Sequence, residues 1–139
     1  MAMVLGFDFG LRRIGVAVGQ PLTATASPLA PLAAKEGIPD WSQIAAVLDE
    51  WQPGLVVVGE PINMDGSDSE LAQRARKFAR RLHGRFGLKV EMADERLTSY
   101  SVKEEVKAQR GPQDFGKYSV DSEAAVLILE QWLRAERDN

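Results

Sequence analysis

Cysteine is absent from the 139 residues, and histidine occurs once, at position 83. Disulfides, thiolate metal sites and cysteine nucleophiles are therefore excluded. A zinc site built on two histidines and a serine–histidine triad lose their basis as well. Long apolar runs are missing too. Residues 55–58 and 124–129 are among the longest, far short of the ~20 residues a membrane-crossing helix needs. No basic stretch followed by a long apolar run opens the chain, so no secretory signal is expected. Together with the lack of cysteine this points to a cytoplasmic protein with no membrane partner. Neither sign of charge dominates. Seventeen Lys and Arg against twenty Asp and Glu leave a net charge of −3, which argues against a general polyanion binder.

What is present is the balance of a globular domain: 45% hydrophobic and 27% charged residues. The length suits one domain over residues 1–139, able to bury roughly two thirds of its unfolded surface. The charge is unevenly distributed. Residues 71–90 contain no acid but hold Arg74, Arg76, Lys77, Arg80, Arg81, Arg85 and Lys89, so one face of an acidic protein is expected to be basic.

Residues 3–10 read as a strand ending in a turn, and residues 14–19 as its hairpin partner. Residues 24–34, rich in Ala and Pro, fit an irregular edge strand. Asp40 is placed to cap a helix whose apolar positions are Trp41, Ile44, Leu48 and Trp51. The run Leu55-Val-Val-Val-Gly59 reads as a strand buried on both faces. Ser67-Asp-Ser-Glu70 has the form of a capping box. The helix after it carries the stripe Leu71, Ala75, Phe78, Leu82 and Phe86. A further strand is expected over residues 88–93, a helix from Ser99, a mobile loop over 110–119 and a last helix from about Asp121. Strands alternating with helices in the second half require parallel pairing there. The expected architecture is a mixed α/β sheet with helices on its faces.

Three acids occupy comparable places: Asp8 and Glu95 at strand ends, Asp121 at a helix start. Open α/β sheets build their sites at the carboxyl ends of strands. Carboxylates gathered there repel one another, and a hard divalent cation, Mg²⁺ or Mn²⁺, relieves that repulsion through oxygen ligands. Two such ions roughly 4 Å apart can activate a water and support the leaving oxygen of a phosphodiester. Each acid also has an ordinary reading. Asp121 alone would serve equally as a helix cap, and Glu95 could simply pair with Arg96. Asp8 resists such a reading, because it lies in an apolar strand between Phe7 and Phe9. Arg74, Arg76, Arg80 and Arg81 are candidates for holding a phosphate backbone, the alternative being the solvated face of an amphipathic helix.

Five motifs in order carry a resemblance to a known family. They are Phe7-Asp-Phe-Gly10, Arg13-Ile-Gly-Val-Ala-Val18, Val57-Val-Gly59 with Pro61 and Gly66, Asp94-Glu-Arg-Leu-Thr98, and Val120-Asp-Ser-Glu-Ala-Ala125 leading into Ile128. Nearly end to end, the chain resembles the bacterial YqgF (RuvX) family, described as Holliday-junction resolvase-like and as a pre-16S rRNA nuclease. The resemblance implies a ribonuclease H-like fold with a mixed five-stranded sheet and helices on both faces. It implies a metal-dependent phosphodiester hydrolase in which Asp8, Glu95 and Asp121 bind the metal and carry the hydrolysis. The implied role is processing of the 5′ end of precursor small-subunit rRNA in ribosome biogenesis. The chain departs from the family at Glu60, where the Val-Gly-x-Pro motif usually has an apolar residue. In related resolvases the second acid ends the corresponding strand, so Glu60 stands as an open fourth member of the metal site or as a surface substitution beside Pro61.

Two other functions fit the same residues. A resolvase acting on branched DNA would use the same chemistry in a dimer, and a non-catalytic RNA- or ribosome-binding factor would keep the fold alone. An actin-like ATPase, suggested by Asp8-x-Gly10 before a glycine-containing hairpin, would need a second lobe that 139 residues do not supply. Monomer and homodimer are both left open.

Overall fold

In the computed structural model, residues 2–61, 63, 65–95 and 120–137 are described. The helix expected from Ser99 and the loop expected over residues 110–119 lie outside them.

The opening apolar run forms β1 (Val4–Asp8) and turns into β2 (Arg13–Gln20), with Asp8 opposite Gly15. The Ala/Pro-rich stretch is β3 (Thr25–Lys35), antiparallel to β2. It turns through Glu36 and Gly37, at φ +53° and +83°, into the two-residue β4 (Ile38–Pro39). Then come α1 (Trp41–Trp51), β5 (Leu55–Glu60), α2 (Glu70–Phe86), β6 (Val90–Asp94) and α3 (Val120–Arg137). The strand order is β4-β3-β2-β1-β5-β6, with β1, β5 and β6 mutually parallel. The sheet thus has six strands where five were expected. The extra one is β4, which pairs only at Ala34 and Lys35 and is too short to leave a periodic signal.

Local chemistry accounts for the helix boundaries. The Asp40 carboxylate accepts from the Ser42 amide at 2.9 Å and caps α1. The cap of α2 is Ser69, two residues later than the capping-box reading placed it. Its hydroxyl accepts from the Ala72 amide at 2.9 Å and donates to the Pro61 carbonyl at 2.8 Å. Ser67 instead closes a turn with Asp65. Gly87, at φ +68°, ends the helix.

Strand alternation then divides the sheet into two faces. Leu5, Phe7, Ile14, Val16, Val56 and Val58 meet Ile44, Leu48, Phe78 and Leu82 of α1 and α2. Phe78 is the centre of that layer, edge-on to Phe7 at 5.7 Å and stacked with Trp41 at 5.9 Å. The other face carries Val4, Ala17 and Val57 and packs on Ala125, Leu129 and Leu133 of α3. Small residues let α3 come close. A Cβ on Gly19 would stand 2.8 Å from Leu129 Cδ2 and 2.9 Å from Leu133 Cδ1. No helix among the described residues is long and apolar enough to cross a membrane.

Candidate active site

Asp8 ends β1 and is 7% exposed; Glu95 follows β6 and is 8% exposed. Both lie at the carboxyl end of the parallel strands, where open α/β sheets place their sites. Their faces follow from register. Phe7 is paired with Val58, so the next residues along each strand, Asp8 and Gly59, are neighbours. Asp8 alternates with Phe7 and shares the face of Val4, the face that α3 covers.

Glu95 reaches the same place from the side. A Cβ built on Gly59 would lie 3.0 Å from Cγ and from Cδ of Glu95, and 3.0 Å from Ile128 Cδ1 of α3. The Glu95 side chain therefore lies over Gly59, beside Asp8, under the first half of α3. Gly59 was read from the sequence only as part of a strand motif. Its contribution is the missing methyl, which leaves room for a carboxylate between sheet and helix.

Asp121 is the second residue of α3, and the start of that helix is anchored by its neighbour. The Ser122 hydroxyl, fully buried, accepts from the Val16 amide at 3.2 Å and donates to the Leu29 carbonyl at 2.7 Å. Val16 and Leu29 face one another across β2 and β3 at a register shift, where β3 carries one extra residue. The hydroxyl bridges the two strands at that bulge. Val16 also pairs with Phe7, so the helix start that carries Asp121 is held one rung from Asp8. Sequence reasoning passed over Ser122, because a serine beside a helix-start acid gives no hint of a partner 106 positions away.

Glu60 is placed elsewhere. It alternates with Gly59 and shares the face of Val56 and Val58, which α2 covers. There it is 2.7 Å from Arg76, which also meets Asp68 at 2.6 Å. Hydrogen bonding and charge from Arg76 hold the Asp68 carboxyl below its usual 3.8, and Asp68 and Glu60 in turn raise the Arg76 guanidinium.

The four candidate arginines do not form one array. Arg74 and Arg81 line a cleft against Phe9 and Trp41, whereas Arg76 and Arg80 line a groove beside Val90 and Met92 of β6. His83, exposed on α2, has its Nδ1 2.7 Å from the Leu88 carbonyl and ties the end of the helix to the next strand.

Two buried carboxylates at one corner, made of hard oxygen donors, suit a small divalent cation and not a soft metal. Among the described residues no three His, Cys, Asp or Glu stand together as a metal cluster.

A family model described as "RuvX: Holliday junction resolvase" matches residues 2–135. A protein of Hahella chejuensis named "Putative pre-16S rRNA nuclease" is 63% identical over 139 residues, covering 100% of this chain and 88% of that one. Proteins of the same name from Pseudomonas paraeruginosa and Proteus mirabilis are 52% and 51% identical. They are matched over 100% and 96% of this chain, and over 96% of each relative. Among solved structures, RuvC of T. thermophilus bound to a Holliday junction substrate superposes with a TM-score of 0.59 at 19% identity, covering 99% of this chain and 96% of that one. The yeast mitochondrial Holliday junction resolvase gives 0.57 at 11% identity, over 98% and 79%. These structures establish a RuvC-like ribonuclease H fold.

Proposed function

The chain belongs to the RuvX family of nuclease relatives, and from that footing we propose that it is a metal-dependent nuclease processing the 5′ end of precursor 16S rRNA in the cytoplasm. The observation that carries this reading is the meeting of Asp8 and Glu95 over Gly59 at the carboxyl end of β1 and β5.

In this reading Asp8, Glu95 and Asp121 hold Mg²⁺ or Mn²⁺, which when bound would activate the attacking water and stabilise the leaving 3′ oxygen. The protein's own part is positional. Burial of Asp8 on the face that α3 covers, and of Glu95 over Gly59 near Ile128, removes both from bulk water. Their charge consequently acts at low dielectric, where it is felt more strongly than at the surface. Ser122 sets the start of α3, and with it the backbone of Asp121, against the sheet at the end that carries Asp8.

The resolvase description of the family favours a second reading, the same hydrolysis on branched DNA by a dimer presenting two sites. One experiment addresses both. Purified protein is given Mg²⁺ with either a precursor rRNA fragment or a synthetic four-way DNA junction. The RNA reading expects cleavage of the fragment near its mature 5′ end, abolished by chelation and by Asp8→Asn, with RNA binding retained by the variant. Preferential cutting of the junction overturns the RNA reading, and normal rRNA maturation in cells carrying only Asp8→Asn overturns catalysis altogether.

A further inference from the structure

On the α2 face, at the same end of the sheet as Asp8, a cleft of about 290 Å³ opens between α2 and the turn joining β3 to β4. Its floor is Phe9, the residue after Asp8, packed 5.3 Å from Phe78. The turn is held against the end of β1–β2: the Gly37 amide donates to the Leu11 carbonyl at 2.9 Å. The cleft wall is therefore fixed by backbone and lies directly behind the candidate acids.

The helix side of the cleft presents Arg74, Lys77 and Arg81, spaced i, i+3 and i+7 along one stripe of α2. Arg74 is engaged, 3.3 Å from the Glu70 carboxylate and 3.3 Å from the Glu36 carbonyl. Lys77 and Arg81 are exposed, and among the described residues neither has an ion-pair partner. The cleft has one acidic lining residue, Glu36, against three cations. The contrast with the groove on the other side of α2 is sharp, because there Arg76 is committed to Glu60 and Asp68.

The opposite wall is apolar. Ile38 is 55% exposed, one of three large apolar side chains open to solvent among the described residues. Trp41 offers only an edge, since Phe78 stacks on its ring at 5.9 Å and the Arg85 guanidinium lies 4.4 Å from its centroid. A ligand here meets cations on one side and a branched apolar side chain on the other. The cleft's volume of about 290 Å³ is at the small end of ligand pockets and matches a single nucleotide unit.

We propose that this cleft is a subsite for one nucleotide of a single-stranded RNA segment flanking the scissile bond, its phosphate on Lys77 and Arg81 and its sugar and base against Ile38. The assignment rests on the nuclease reading above and adds where the strand runs: over the end of β1, from the face of Asp8 to the face of Phe9.

The test is fluorescence anisotropy with a short labelled single-stranded RNA, in the Asp8→Asn background so that the probe stays intact. Lys77→Gln with Arg81→Gln weakens binding about tenfold at physiological salt and flattens the log–log salt dependence by about 1. Ile38→Ala weakens binding about threefold with the salt slope unchanged, since it removes only apolar contact. Lys89→Gln with Arg134→Gln, the same charge change at the far end of the molecule, leaves binding within about twofold. Parent-like binding by the Lys77/Arg81 pair, or an equal loss from the Lys89/Arg134 pair, overturns the subsite while leaving the nuclease reading intact. A loss confined to a blunt RNA duplex overturns the single-strand assignment. Failure of the Asp8→Asn protein itself to bind RNA counts against the function proposed above.

Discussion

Gly59→Ala separates the site from the fold. An added Cβ would stand 3.0 Å from Glu95 Cγ and Cδ and from Ile128 Cδ1, whereas carbon atoms in contact prefer roughly 3.5–4.0 Å. Something must move by roughly 0.5–1 Å. Ile128 is locked in the core between α3 and the sheet at 3% exposure. The Glu95 side chain, beyond the last residue of β6 and longer than that of Ile128, is the one expected to shift. Overpacking of this size costs about 1–3 kcal/mol, and replacing Gly by Ala at a permitted backbone geometry returns about 0.4–1 kcal/mol. The net loss, up to about 2.5 kcal/mol, is well inside the ~5–15 kcal/mol of a typical domain. The variant should stay folded, with Tm lowered by at most about 10 °C. A carboxylate misplaced by about 1 Å, by contrast, can lose about 100-fold in rate, equivalent to about 2.7 kcal/mol of barrier. The assay is Mg²⁺-dependent cleavage of a precursor rRNA fragment, with thermal melting and RNA anisotropy on the same samples. The expected pattern is a large fall in kcat with binding nearly unchanged. Gly84→Ala on α2, where a Cβ would meet nothing within 4 Å, is the control and should gain stability with activity intact. Wild-type kcat in Gly59→Ala would refute the reasoning, because the position of Glu95 would then be irrelevant to the chemistry.

Ser122→Ala leaves the buried Val16 amide and the Leu29 carbonyl without their bridging hydroxyl. It should cost about 2–4 kcal/mol, seen as a Tm drop of roughly 10 °C, together with a fall in kcat. Unchanged melting would show that the bulge does not need the hydroxyl. Glu60→Gln should keep kcat within about twofold of wild type and leave the Mg²⁺ dependence unchanged, because Glu60 is on the α2 face with Arg76. A shift in metal requirement measured by Mg²⁺ titration would contradict that placement. The ion pair of Asp68 makes a pH-dependent contribution. Its folded pKa is depressed below 3.8 by hydrogen bonding and charge from Arg76, so the stabilisation is complete above 3.8 and disappears as pH falls through the depressed value. Melting curves of wild type and Asp68→Asn should accordingly differ at neutral pH and converge in acid; a gap that widens in acid would reverse the sign.

The local patterns of the chain carried much of this structure. Asp40 before Trp41, Ile44 and Leu48, and the stripe through Phe78 and Leu82, each specify a helix from neighbours a turn apart, and α1 and α2 are found there. The apolar runs ending at Asp8 and Gly59 specify strands for the same reason. An acid caught inside an apolar strand is conspicuous within eight residues of sequence, so Asp8 was legible as a functional candidate. Other features depended on pairings between distant segments. Whether Glu60 joins Asp8 turns on one step of register, Phe7 against Val58, which puts Gly59 beside Asp8 and turns Glu60 to the opposite face. Side chains alternate along a strand, so a shift of one residue would have exchanged the two. The arginine-rich helix announced its charge in the sequence. Only its packing against Phe9 on one side and β6 on the other divided Arg74 and Arg81 from Arg76 and Arg80. Ser122 shows the limit most plainly. Its side chain has ordinary local chemistry, and its role exists only because a bulge in a strand pair formed a hundred residues earlier leaves a gap that one hydroxyl bridges.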